Sequence, residues 1–131
     1  IDAEAFGVAG PLSFQNALAE TLVDDGSNVI VLQDADDDGD PSTVFNAGSA
    51  ANLIANAVDT SGSGFFVYFN SALDMNRLVF SQDLGDASAD LQIVTRFSDL
   101  TGQAAIDALA GFDAGNFAFE NEQPASDALL L

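Results

Sequence analysis

The chain has 131 residues, 48% of them apolar and eleven of them Phe, which is enough to bury one core and too aromatic for a disordered acidic tail. Its 21 carboxylates face two arginines and no lysine, a net charge of −19, and this excludes the basic surface that nucleic acid or an anionic membrane would require. Cysteine and histidine are absent, which removes disulfides, thiol chemistry, His-based triads and most zinc sites.

Residues 1–10 are small and apolar with two acids, and read as an N-terminal arm or edge strand. Gly10-Pro11 suits a helix start. Phe14, Leu18 and Leu22 then recur every four residues, which predicts an amphipathic helix over 12–23, stopped by Asp24-Asp25-Gly26. That stripe suits core packing better than a binding groove. Val29, Ile30, Val31 and Leu32 lie inside a predicted buried strand over 28–33.

This strand delivers the chain into Asp34-Ala35-Asp36-Asp37-Asp38-Gly39-Asp40, five carboxylates within seven residues. Calcium takes six to eight oxygens at about 2.3–2.6 Å, and alternate carboxylates followed by a turn glycine can supply them from a short loop. Asp34, Asp36 and Asp38 match the first, third and fifth positions of an EF-hand-type loop, with Gly39 at the turn. The twelfth position is Phe45 rather than Glu, so Asp40, Ser42 or a distant carboxylate would have to close the shell. A solvated acidic turn is the plainer reading, because Asp and Gly form turns unaided. The mutual repulsion of five charges favours a bound cation. The expected ligands are Asp34, Asp36, Asp38 and Asp40, and the expected ion is Ca2+.

A helix is predicted over 47–58 with Asn46 as its cap, ended by the polar turn 59–64. Residues 65–69 hold four aromatics and are apolar on both faces, so they predict a central strand, a core element before a sugar- or peptide-binding platform. After a turn carrying Asp74, a strand is predicted over 77–82. A second acidic connection follows with Asp83, Asp86 and Asp90, either a plain loop or a second cation site. Residues 91–97 alternate, with Leu91, Ile93, Thr95 and Phe97 on one face, and form an antiparallel hairpin with the preceding strand. Arg77 and Arg96 either bind an anionic ligand or, more simply, pair with carboxylates such as Asp74 and Asp99. Thr101 caps a predicted helix over 102–110, with Ala105, Ile106 and Leu109 inward and Gly111 as its stop. A last strand over 116–120 carries Phe117 and Phe119 on one face.

The expected fold is α+β: a mainly antiparallel sheet of about five strands with two or three packed helices. A single globular domain spans 1–120, with the arm at 1–10, and 121–131 forms a flexible or partner-docking tail. No apolar run is long enough for a transmembrane helix, so no membrane insertion is expected. The first residue is Ile1 and no basic signal peptide is visible, as expected if a leader is removed upstream or the segment belongs to a longer chain. With His, Cys and Lys all missing, the chain is not expected to be an enzyme. A hydrolase using carboxylates alone is the remaining catalytic option.

The D-x-D-x-D-G-D run, the lack of Cys and the Asp127-Ala128-Leu129-Leu130-Leu131 ending resemble secreted calcium-binding proteins of Gram-negative bacteria, the RTX-like clients of type I secretion. The stretches 65–80 and 91–119 also look like a segment recurring in large acidic proteins of that kind. The glycine-rich nonapeptide repeats of that group are missing here. The resemblance implies a protein that folds outside the cell in calcium and serves as adhesin, surface layer or matrix. The expected function is therefore a secreted, extracellular, cell-surface structural protein that binds calcium and self-associates as a homo-oligomer or polymer. The alternative is a monomeric secreted binding or adhesion module with structural calcium, directed at a cell-surface glycan or protein.

Overall fold

The computed structural model describes residues 13–24, 27–35, 44–58 and 62–112. The predicted arm at 1–10, the strand at 116–120 and the tail at 121–131 lie outside the described residues. The elements are β1 (Phe14–Ala17), a 3-10 turn (Ala19–Thr21), β2 (Val29–Leu32), α1 (Ala47–Ala57), β3 (Gly64–Asn70), β4 (Met75–Ser81), β5 (Leu91–Phe97) and α2 (Gly102–Leu109). The five strands form one sheet in the order β1-β2-β3-β4-β5.

The sheet is mixed, which corrects the expectation of a mainly antiparallel one. β1, β2 and β3 run parallel, whereas β3–β4 and β4–β5 are antiparallel. The cause is in the connections. Parallel neighbours need a long crossover, and α1 supplies one between β2 and β3. The four-residue turn after β3 permits only an antiparallel return.

The two faces of the sheet carry separate cores. On one face Ile30, Leu32, Phe66, Tyr68 and Val79 pack against Phe45, Ala50 and Ile54, with Ala19 and Leu22 at the margin. On the other, Val29, Val31, Phe65, Val67, Leu78 and Phe80 pack against Ala105 and Leu109 of α2. Every residue of β3 is buried, as the two-sided apolar run predicts. Each fully buried Phe there is worth about 1.5–3 kcal/mol relative to exposure. α1 starts as expected at Asn46, whose side chain accepts from the Ser49 N–H while Ser49 Oγ accepts from the Asn46 N–H. No helix among the described residues is long and apolar enough to cross a membrane.

The predicted helix over 12–23 is instead β1 followed by the 3-10 turn. Phe14 pairs with Val29 and Ala17 with Leu32, so a sheet edge captures the segment. Its polar residues are spoken for by tertiary partners. The Gln15 amide donates to the Val23 carbonyl and accepts from the Val23 N–H, both at 2.9 Å. Asn16 Nδ2 donates to the carbonyls of Leu109 and Phe112, each at 2.8 Å. Tertiary pairing thus overrides a period-four pattern that is too short to propagate as a helix by itself.

β5 also departs from its predicted alternation. The pairing shifts between Leu78 and Val79, so that Val79 faces Ile93 but Leu78 faces Thr95. Val94 is the extra residue of a β-bulge. Leu91 and Ile93 consequently pack on the α1 side, and Val94 and Phe97 on the α2 side.

Candidate functional site

Asp34 stands just past the carboxyl end of β2, half-buried. Its Oδ1 accepts a hydrogen bond from the Ala19 N–H at 2.7 Å. Ala19 opens the 3-10 turn, and Leu18 before it offers no side-chain cap. Asp34 therefore caps this turn from across the chain, which fixes the carboxylate relative to the sheet. Beside it lies an open depression of about 590 Å3, lined among others by Leu18, Glu20, Leu22, Asp34, Leu53 and Asn56. Carboxylates and a side-chain amide are oxygen donors of the class that calcium takes. Asp34 and Glu20 alone fall short of its six to eight oxygens. Among the described residues no group of three carboxylates is close enough together to hold a metal ion. Asp36, Asp38 and Asp40, the other expected ligands, lie outside the described residues.

The second acidic connection is built differently. Asp83 Oδ1 accepts from the Gly85 N–H at 2.9 Å, and Asp86 Oδ1 accepts from the N–H and hydroxyl of Ser88 at 2.9 and 2.7 Å. These carboxylates fold back on the backbone two residues on and shape the turns. The Ser88 hydroxyl, followed by its N–H, holds the Asp86 carboxyl below the usual carboxylate range. Asp83, Asp86 and Asp90 are not gathered into a cation site.

The two arginines do not pair with nearby carboxylates, the simpler of the two expectations. Arg77 and Arg96 face each other directly across β4 and β5. Arg77 Nη1 donates to the Tyr68 hydroxyl at 2.9 Å, and its guanidinium carbon lies 5.9 Å from the Tyr68 ring centre. Asn70 Nδ2 donates to the same hydroxyl at 2.8 Å. Neither arginine makes an ion pair with Asp74, Asp99 or any other described residue, which corrects that part of the sequence reading. Asp74 serves the backbone instead. It takes a left-handed φ of 62° in the turn, and its carbonyl accepts from the Gly102 N–H at 3.0 Å.

The Tyr68–Arg77 contact had a signal in the sequence. A four-residue turn that pairs Asn70 with Met75 must also pair Tyr68 with Arg77. The Arg77–Arg96 pairing had none, because it depends on the bulge. Compared with family models, curated proteins and solved structures, the chain shows no match.

Proposed function

We propose that this is a non-catalytic extracellular structural protein that binds calcium through Asp34, Asp36, Asp38 and Asp40 and self-associates into a surface layer, filament or matrix. The observation that carries the reading is the anchoring of Asp34. The first carboxylate of the D-x-D-x-D-G run is held by a backbone N–H at the carboxyl end of a parallel strand, with Glu20 lining the same depression. Ligands recur at strand carboxyl ends in sheets with parallel pairing. The net charge of −19 supplies the thermodynamic reason: bound divalent cations relieve self-repulsion within a subunit and between subunits.

Calcium titration followed by circular dichroism and light scattering tests the proposal. Millimolar Ca2+ is expected to tighten the fold and raise the scattering mass, and excess chelator to reverse both. A protein that stays monomeric at high concentration with and without calcium overturns the assembly. A fold indifferent to calcium overturns the site.

A further inference from the structure

We propose that Arg77 and Arg96 together form a binding site for a carboxylate group. They are the only two cationic side chains of the chain. The β4–β5 pairing nevertheless sets them opposite one another on the same face of the sheet. Directly opposed side chains start from Cβ atoms about 4.5–5.5 Å apart, and like charges so placed destabilise the pair.

Regular pairing would have kept them apart. From Ser81–Leu91 to Val79–Ile93 the ladder is regular. Continued unshifted, it would set Arg77 opposite Thr95 and turn Arg96 to the other face. The bulge at Val94 brings Arg96 round beside Arg77. Bulges re-aim side chains in this way next to functional sites.

The pair is also partly pre-organised. Tyr68 is fully buried, and its hydroxyl, fixed further by Asn70, holds Nη1 of Arg77. Nε of Arg77 is buried without a hydrogen-bond partner. No described carboxylate pairs with either guanidinium. Among the described residues nothing engages Nη2 of Arg77 or the fork of the exposed Arg96, which lie on adjacent strands. A guanidinium fork matches the two oxygens of a carboxylate, and a donor already ordered loses little freedom on binding. The bound charge would also relieve the repulsion within the pair. The carboxylate comes from a free organic acid or from a second copy of this chain, which carries 21 of them. The site lies on β4 and β5, separated from β2 and Asp34 by β3, and does not depend on calcium.

With two arginines in the chain, the arginine Nε–H region of a nitrogen–proton NMR spectrum holds two signals, assigned by R96Q. The full chain is titrated with sodium acetate against sodium chloride at constant ionic strength, in chelator. Both signals are expected to shift and saturate with acetate. In R96Q the half-saturating concentration for the Arg77 signal should rise about tenfold or more, and R96K, which keeps the charge but not the fork, should recover only part of the loss. Dilution without acetate separates the sources. A shift that follows protein concentration and is competed by acetate assigns the carboxylate to a second copy. A response to acetate alone assigns it to a free acid. Signals that move with neither, or move equally with chloride, overturn the site.

Discussion

Gly64 sits under a tight steric constraint. A Cβ there would stand 2.5 Å from the Asn28 carbonyl oxygen and 2.7 Å from Leu84 Cδ1. The approach is needed because the Phe65 N–H donates to that carbonyl at 2.8 Å as β3 begins beside β2. Gly64→Ala is expected to destabilise the fold by about 1–3 kcal/mol, since backbone must shift to admit the methyl group, and urea unfolding measures it. Asp86 is held as an anion by a single neighbour, Ser88. Its folded pKa is lowered by Ser88, so its contribution is present above the unfolded carboxylate value, about 3.9, and is lost as pH falls through the lower folded value. Ser88→Ala should raise the Asp86 titration midpoint towards the ordinary range, read by NMR. The stability gap between wild type and variant should close in acid. A midpoint unchanged by the variant would mean that the hydroxyl is not the dominant cause.

Among the elements, β1 is the one whose placement rests most on side-chain hydrogen bonds. It is a four-residue edge strand with no fully buried residue. Asn16 ties it to the end of α2 through the carbonyls of Leu109 and Phe112, and its Oδ1 accepts from Gln33 Nε2 at 2.8 Å. The Leu109 carbonyl, at the end of α2, also accepts from the Phe112 N–H at 3.2 Å, and the Phe112 carbonyl lies just beyond the helix, so the amide clamps the chain where it leaves α2. Asn16→Ala is expected to lower the urea midpoint by the equivalent of about 1–3 kcal/mol without changing the slope. An effect near zero would show that water replaces the amide at little cost. β5 illustrates a different limit. Its boundaries are legible in Leu91-Gln92-Ile93-Val94-Thr95-Arg96-Phe97, but alternation alone assigns Phe97 to the face of Ile93, and the bulge puts it on the other.

For the whole molecule the governing quantity is charge. A core on both faces of the sheet stabilises a chain that carries −19, and the opposition between burial and self-repulsion is where added cations act. Asp36→Ala combined with Asp38→Ala should lower the melting temperature in millimolar calcium by several degrees and leave it unchanged or slightly raised in chelator. The asymmetry is the diagnostic, because removing two like charges without a bound ion relieves repulsion. Equal destabilisation in both conditions, read by differential scanning calorimetry, would count against a cation site in that segment.

The strands around β2 to β5, both helices with the Asn46 cap and the burial of β3 on both faces are legible in the residues alone, because apolar periodicity, capping residues and turn chemistry act over a few residues and need no distant partner. Tertiary structure alone decided that residues 14–17 join a sheet edge, that the sheet is mixed, that Asp34 caps a turn fifteen residues earlier, and that the two arginines meet. Each of these depends on which segments become neighbours. Local propensity is silent on that, and the hydrogen-bonding needs of the assembled sheet and helix ends settle it.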